Sequence, residues 1–217
     1  MNLDPAADSF KYRCDVDVRD LISLDEVQEE LKLGPNGGLV YCMEYLVENL
    51  DWLVEELNDF ADDAFVVFDC PGQIELYAHL DVMPRLVKAI EKLGFQLSAV
   101  FCADGTFVGE PAKYLSACLT SVSTMISLQL PHTNVLTKCD KIRDHELMET
   151  LLDLNQEDHL GDVQAFASPQ MRELHRLMIE LIDGFNMVRF MPLNIADEES
   201  IKAVAYQIDM VVSYFEN

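Results

Sequence analysis

The sequence predicts a doubly wound α/β domain with a mostly parallel sheet. Four short apolar runs have the length of strands and alternate with stretches of helical periodicity. The apolar residues in each run are continuous rather than alternating, which is typical of strands that helices cover on both faces. The four runs are residues 64–68, 97–101, 134–136 and 187–190.

The length and composition favour one packed domain. The chain has 217 residues, of which 50% are hydrophobic, and this is enough apolar surface for a single core. We therefore predict one domain over residues 1–217. No apolar run approaches the roughly 18–20 residues that cross a bilayer, and the first residues lack the basic start of a secretory signal. The scattered cysteines favour a reduced compartment, so we expect a cytoplasmic protein.

The charge of the chain excludes two classes of partner. Thirty-nine acidic residues against fifteen basic ones give a formal charge of −24, which repels nucleic acid and anionic lipid. We expect neither nucleic acid nor a membrane as a partner. A phosphorylated small molecule is compatible with this charge, because a few backbone N–H groups and one lysine can hold it locally.

Capping residues mark several helix ends. Ser23 followed by Glu26 is a capping box, and Gly94 follows a periodic stretch at the place where a left-handed cap is common. Ser168-Pro169 is typical of a helix start.

The longest helical pattern covers residues 39–57. Its apolar residues Met43, Leu46 and Trp52 favour packing in a core or a dimer interface over a cofactor site. The acidic segment 152–162 predicts a surface loop.

The strongest local signal follows the first apolar run. Residues 69–73 read D-C-P-G-Q and put an aspartate at the carboxyl end of a predicted strand, where open α/β sheets bind ligands. Asp69 can hold Mg²⁺, and the N–H of Gly72 can meet a terminal phosphate. Gln73 can orient an attacking water, with Glu75 as a supporting carboxylate. A strand-ending turn explains the same Asp, Pro and Gly without any ligand.

A second signal favours the ligand-binding interpretation. Residues 137–140 read T-K-C-D after another apolar run, which fits the [NT]-K-x-D pattern of guanine recognition. Asp140 can accept two N–H groups from the guanine edge, while the alkyl stem of Lys138 lies along the base and ribose. Thr137 replaces the more usual asparagine and so lacks the amide that would tie this loop to a phosphate loop.

A third signal, Gly34-Pro35-Asn36, directly precedes the longest helical pattern. Alone it predicts a tight turn and a helix start. Together with residues 69–75, residues 137–140 and the opening N-L-D-P-A-A at residues 2–7, it resembles the GPN-loop GTPases, and this resemblance extends over essentially the whole chain. The resemblance implies a fold of the P-loop NTPase type that binds and hydrolyses GTP with Mg²⁺.

The resemblance also implies roles for single residues. Asp69 matches the magnesium-side switch residue, and Asp4 matches the aspartate after the second strand. Gln73 with Glu75 matches the water-positioning pair. The remaining matches are the guanine readers Lys138 and Asp140, and Asn36 of the loop that contacts phosphate across a dimer. The last guanine motif is not recognisable around residues 192–194, and that site stays open.

Partners and location are implied in the same way. Family members pair as homodimers or heterodimers with paralogues, in which the loop Gly34-Pro35-Asn36 of one subunit reaches the nucleotide site of the other. The resemblance implies a role in RNA polymerase II assembly, with polymerase subunits or assembly factors as partners. It also implies a cytoplasmic protein that shuttles to the nucleus.

One expected motif is missing from the sequence. No G-x-x-x-x-G-K-[ST] segment occurs in the 217 residues, so we expect the first strand, the phosphate loop and the first helix of such GTPases to be absent and GTP binding to be impaired. In the family's sheet this strand lies between the runs at 64–68 and 97–101. We expect its loss to leave strand edges unpaired, at about 1–3 kcal/mol for each buried backbone group, and the chain to fold poorly alone.

Several interpretations stay open. A shortened gene product and an adapted non-catalytic relative explain the missing loop equally well. A non-catalytic subunit could dimerise through residues 39–57 and offer Asn36 to a full-length paralogue. A flavodoxin-like or receiver-like domain unrelated to nucleotides leaves residues 73–75 and 137–140 unexplained together.

Overall fold

A computed structural model describes residues 1–61, 64–142 and 189–213, and between them only residues 170, 173–174, 176–178 and 180. The chain forms two compact units, Met1–Phe95 and Gln96–Asn217. The prediction of a single domain over residues 1–217 stays a prediction. The predicted helix start at residues 168–169 and the predicted loop at 152–162 lie outside the described residues.

The first unit is mainly helical. After a 3-10 helix at Val18–Asp20 come helices α1 (Leu24–Leu31), α2 (Pro35–Glu48), α3 (Leu50–Asn58), α4 (Glu75–Ala78) and α5 (Val82–Lys92). Helix α2 packs against α1 and α5, and α3 and α4 also contact α5. Met43 and Leu46 are fully buried, so they belong to the core of this unit.

The predicted caps are confirmed, but the longest predicted helix is two helices. The Ser23 hydroxyl accepts the N–H of Glu26 at 3.4 Å, and Gly94 has a φ of 92° just beyond α5. The prediction of one helix over residues 39–57 is wrong, because Asn49 adopts φ −114° and ψ 41° between α2 and α3. Its side-chain amide donates to the Tyr45 carbonyl at 2.8 Å, which satisfies a carbonyl at the end of α2.

Residues 64–68 do not form the predicted strand. Two isolated parallel bridges join Asn2 to Asp69 and to Asp17, and the Met1 ammonium donates to the Val67 carbonyl at 2.9 Å. The side chains of Phe65 and Val67 are 69% and 66% exposed. An apolar run becomes a buried strand only when neighbouring strands bond its backbone and helices cover its side chains. In the first unit the backbone of this run bonds the first residues of the chain, and the side chains of Phe65 and Val67 stay exposed.

The second unit contains a parallel three-stranded sheet in the order β1-β2-β3. Among the described residues the strands are β1 (Ala99–Asp104), β2 (His132–Thr137) and β3 (Phe190–Pro192), and the helices with described bounds are α6 (Pro111–Leu128) and α7 (Glu198–Ser213). Short 3-10 helices follow β1 at Gly105–Gly109 and β2 at Cys139–Lys141. Strand β2 is central, and its residues 133–136 are buried.

The α/β class with a parallel sheet is therefore confirmed. The runs at 97–101 and 134–136 correspond to β1 and β2, and the last run corresponds to β3, although residues 187–188 lie outside the described residues. The core of this unit packs residues of β1, β2, β3 and α6, including Ala103, Leu115, Cys118, Leu136 and Phe190. In the part of the chain that the structure describes, no helix is long and apolar enough to span a membrane.

Candidate functional site

The predicted site residues are distributed over both units. Asp4, residues 34–36 and residues 69–75 belong to the first unit, and residues 137–140 belong to the second.

Asp69 lies at the end of the apolar run, and its backbone is fixed on both sides. Its N–H donates to the Met1 carbonyl at 3.0 Å, and its carbonyl accepts the N–H of Leu3 at 2.8 Å. One carboxylate oxygen accepts the hydroxyl of Tyr12 at 2.6 Å. Burial and this carboxylate together raise the pKa of Tyr12. No sequence pattern identified Tyr12, which is 57 residues from Asp69.

The segment that carries Tyr12 is held by its own contacts. The Phe10 ring lies 5.2 Å from the Tyr12 ring, and the Arg19 guanidinium stands 4.8 Å above Phe10. Arg19 also donates to the Ala7 carbonyl at 2.7 Å and pairs with Asp17 at 2.6 Å. This network therefore orders the chain between Ala7 and Asp17 beside Asp69.

Asp4 lies in the same strand-end region as Asp69. The two segments are joined by the bond from Leu3 to Asp69, and one Asp4 oxygen accepts the N–H of Ala6 at 2.9 Å. Burial, together with the charges of Asp69 and Asp4, raises the pKa of the Cys70 thiol to about 12. The backbone bond from Leu3 to Asp69 places Asp4 and Asp69 on adjoining segments.

This region could supply only part of the ligands of a Mg²⁺ ion. Among the described residues no three acidic, histidine or cysteine side chains form a metal-binding group. Mg²⁺ is usually held by one or two carboxylates, while water and substrate phosphates fill its other positions. Asp69 and Asp4 supply two carboxylates in this region, which matches the number in such a partial set and is too few for an all-protein cage.

The turn after Asp69 is fixed, and its glycine is open. The Tyr77 hydroxyl donates to the Pro71 carbonyl at 2.6 Å. Gly72 is exposed, and nothing lies within 4 Å of the position that a Cβ would take. A ligand can therefore approach the backbone of Gly72 closely.

Gln73 contacts the predicted loop rather than Glu75. Its side-chain amide donates to the side-chain oxygen Oδ1 of Asn36 at 3.3 Å. Glu75 begins α4, and its exposed carboxylate accepts no hydrogen bond from any described residue. The structure thus brings Gln73 and Asn36 together within one chain.

Gly34, Pro35 and Asn36 form the exposed start of helix α2. Gly34 is the N-cap residue, with φ −73° and no side-chain cap, and Pro35 is the first helical residue. The predicted helix start is confirmed. Since proline has no N–H and the N-cap has no side chain, the first turn keeps backbone donors that protein groups do not use.

The loop at residues 137–140 is firmly attached to the sheet. Thr137 ends β2, and its hydroxyl donates to the Ala103 carbonyl of β1 at 3.0 Å. Lys138 has a left-handed φ of 59°, and its ammonium bonds Asp104 at 2.7 Å. Asp140 is exposed, and within the described parts of the chain no group donates to its carboxylate.

The segment at residues 193–194 lies against the buried side of this loop. The Leu193 N–H donates to the Leu136 carbonyl at 2.7 Å, and the Leu193 carbonyl accepts the N–H of Cys139 at 3.3 Å. The N–H of Asn194 in turn donates to the Ser200 hydroxyl at 3.0 Å. The position that the sequence left open is therefore a direct neighbour of the loop.

Asp104 and Gly105 were missed in the sequence. The hydrogen bond from Lys138 and those from Thr106 lower the pKa of Asp104 to about 2. A Cβ on Gly105 would lie 2.6 Å from the Thr137 carbonyl oxygen. An apolar run that ends in Asp-Gly is the same strand-end signal that identified Asp69, so the signal was present.

Comparisons with known proteins agree with these features. A family model described as "Conserved hypothetical ATP binding protein" matches residues 1–214. The chain is 44% identical over 223 residues to GPN-loop GTPase 3 of Saccharomyces cerevisiae, covering 100% of this chain and 81% of the relative. It is 42% identical over 223 residues to GPN-loop GTPase 3 of Schizosaccharomyces pombe, covering 100% and 80%.

A solved structure shows the same fold. The crystal structure of the apo form of a GTPase from Pyrococcus abyssi matches with a TM-score of 0.74 and 21% identity, covering 96% of this chain and 84% of that chain. The predicted fold of the P-loop NTPase type is thereby confirmed.

Proposed function

Because the chain belongs to the GPN-loop GTPase family, we propose that it binds a guanine nucleotide through the loop of residues 137–140. The observation that carries this proposal is the contrast within the loop. Thr137 and Lys138 are bonded to β1 and to Asp104, whereas the exposed carboxylate of Asp140 has no partner among the described residues.

The chemistry of the base supports this assignment. Guanine presents two N–H donors, at N1 and at the 2-amino group, which one carboxylate can accept together. Adenine presents an acceptor at N1 and no 2-amino group, so it leaves the carboxylate unpaired. A hydrogen bond to a charged group contributes about 1.5–3 kcal/mol, which corresponds to about 10- to 100-fold in affinity.

Binding of nucleosides without phosphates tests the base site directly. We expect the 217-residue chain to prefer guanosine over adenosine by about 10-fold or more in an NMR titration. Asp140→Asn should transfer the preference to xanthosine, because the amide presents a donor to the 2-oxo group. Asp209→Asn, an exposed aspartate of α7, is the matched control and should leave the preference unchanged. Equal binding of guanosine and adenosine by the wild-type chain would refute the proposal.

Phosphate binding by these residues is proposed to be weak. The 217 residues contain no G-x-x-x-x-G-K-[ST] segment, which would supply phosphate donors, a lysine and a magnesium ligand. Asp69 with Asp4 would hold Mg²⁺, and Gln73 with Glu75 would orient water. Bound Mg²⁺ would neutralise charge on the phosphates. We therefore expect GTP with Mg²⁺ to bind the 217-residue chain no more tightly than guanosine, and to raise its melting temperature no more than guanosine does at the same concentration.

A second candidate is a non-catalytic subunit that completes the site of a partner. Its support is the exposure of Asn36 at the start of α2. Among the described residues its side chain has one hydrogen bond, an exposed 3.3 Å contact with Gln73, which must break. In a mixed dimer with a full-length GPN-loop paralogue, Asn36→Ala on this chain should lower the GTPase rate several-fold, whereas Gly37→Ala should not. If the Asn36→Ala dimer keeps the full rate, this role is excluded.

The proposed cellular role is RNA polymerase II assembly, in a cytoplasmic protein that shuttles to the nucleus. Its support is family membership alone. Co-purification of polymerase subunits or assembly factors with the tagged chain is the expected result, and loss of the chain should leave polymerase subunits in the cytoplasm. Normal nuclear polymerase after its loss would contradict this role.

A further inference from the structure

Asp104 holds a fixed carboxylate beside the loop of residues 137–140. It ends β1 directly opposite Thr137 in the register of the sheet. One of its oxygens accepts both the N–H and the hydroxyl of Thr106, at 3.0 and 2.7 Å. The other oxygen accepts the Lys138 ammonium at 2.7 Å. Both oxygens of Asp104 are therefore oriented before any ligand binds.

The backbone holds the two loops at this distance. A Cβ on Gly105 would lie 2.6 Å from the Thr137 carbonyl oxygen and 3.4 Å from the Cys139 sulfur, so the segment after β1 packs directly under the loop. The hydroxyl of Thr137 adds a bond to Ala103 at 3.0 Å. The pair between Asp104 and Lys138 thus joins two segments that are already in contact.

If Lys138 did not pair with Asp104, a second carboxylate would be close to it in the sequence. Asp140 is two residues away in the same loop, and an ammonium paired with it would compete with the N–H groups of guanine. In the structure Lys138 pairs with Asp104, while Asp140 is exposed and unpaired among the described residues. In the structure the lysine is therefore bonded to Asp104, and the carboxylate that we assign to the base is left without it.

We propose that Asp104 is a positioning residue for guanine selectivity, which holds the Lys138 ammonium away from Asp140 and leaves that carboxylate open to the base. This inference rests on the proposed function, because it assigns Asp140 to the guanine edge. It predicts that loss of Asp104 lowers guanine selectivity because Lys138 then pairs with Asp140. The structure of the loop itself should stay intact.

Three variants test this prediction with guanosine and inosine as probes. Inosine lacks the 2-amino group, so the ratio of the two affinities reports the contact with Asp140. Asp104→Asn keeps an acceptor for Thr106 and removes the charge; we expect it to lower the guanosine-to-inosine ratio about 5- to 10-fold. Glu110→Gln is the matched control, since it removes another exposed pair of this unit, with Lys113 at 2.6 Å, and should leave the ratio unchanged.

Rescue separates positioning from a structural effect. Adding Lys138→Met to Asp104→Asn removes the competing ammonium and keeps an unbranched apolar side chain, so the ratio should return to within about twofold of the wild-type value. A lowered ratio that Lys138→Met does not restore, or an unchanged ratio in Asp104→Asn, overturns the inference. A wild-type chain that does not prefer guanosine over adenosine instead refutes the proposed function, so the two failures are distinguishable.

Discussion

The two loops that carry the predicted aspartates Asp69 and Asp140, one in each unit, follow similar apolar runs but have different support. Residues 137–140 follow β2, which pairs with a strand on each side and is buried along residues 133–136. Residues 69–73 follow residues 64–68, where Phe65 and Val67 are mostly exposed and Asp69 forms an isolated bridge. The comparison shows that an apolar run does not by itself hold the loop after it in place. The loop is held when the run pairs with a neighbouring strand on each side.

The largest expected difference between β2 and residues 64–68 is in the stability cost of shortening a valine in each. Val135 of β2 is 1% exposed and Val67 is 66% exposed. Val135→Ala removes two buried methyl groups and leaves a cavity, so it should lower the free energy of unfolding by about 2–3 kcal/mol. Val67→Ala should change it by less than about 0.5 kcal/mol. Urea denaturation measures both, and equal costs would show that residues 64–68 are packed as a strand.

Sequence reasoning was reliable where the structure depends on local residues. Ser23 and Gly94 act as predicted because a cap involves only its own helix end. The apolar runs of β1 and β2 were identified because continuous burial leaves a composition signal. The same signal failed at residues 64–68, since it does not report which neighbours are present.

The contacts that were missed join residues far apart in the chain. Tyr12 meets Asp69 across 57 positions, and Lys138 meets Asp104 across 34. No periodicity or turn preference relates such pairs, so a single sequence contains no local signal for them. The break at Asn49 was missed for another reason: the helical pattern continues through it, and one side-chain bond to Tyr45 decides the conformation.

The next difference concerns two glycines. A Cβ on Gly105 would lie 2.6 Å from a backbone oxygen, whereas nothing lies within 4 Å of a Cβ on Gly37 in α2. Gly105→Ala should destabilise the fold by about 1–3 kcal/mol, because backbone must shift, and should weaken guanosine binding. Gly37→Ala should stabilise it by about 0.4–1 kcal/mol through the unfolded state. Thermal unfolding checks both signs, and a neutral Gly105→Ala would show that the loop does not depend on this close approach.

The smallest expected difference concerns pH. Burial acts to raise the pKa of Asp17, but hydrogen bonds from Arg19 and Asn2 outweigh it and lower this pKa to about 2; the hydrogen bonds to Asp104 lower its pKa to about 2 as well. A carboxyl whose pKa is lower in the folded state contributes stability above its unfolded pKa of about 3.9 and loses it as pH falls towards 2. Asp17→Asn should therefore cost about 1–2 kcal/mol at pH 7, and Asp104→Asn less than about 1 kcal/mol because its pair is partly solvated.

Both deficits should shrink below pH 4 and be small near pH 2, where the wild-type carboxyls are about half protonated. Unfolding free energies at pH 7, 5, 3 and 2 provide the comparison, and Asp209→Asn, at an exposed position of α7, is the control. A deficit that stays constant down to pH 2 would mean that the substituted amide disrupts packing, and not that the charge stabilises the segment. If Asp104→Asn proved more costly than Asp17→Asn, the segment of residues 137–140 would depend more on its ion pair, and less on the backbone contact of Gly105, than the geometry indicates.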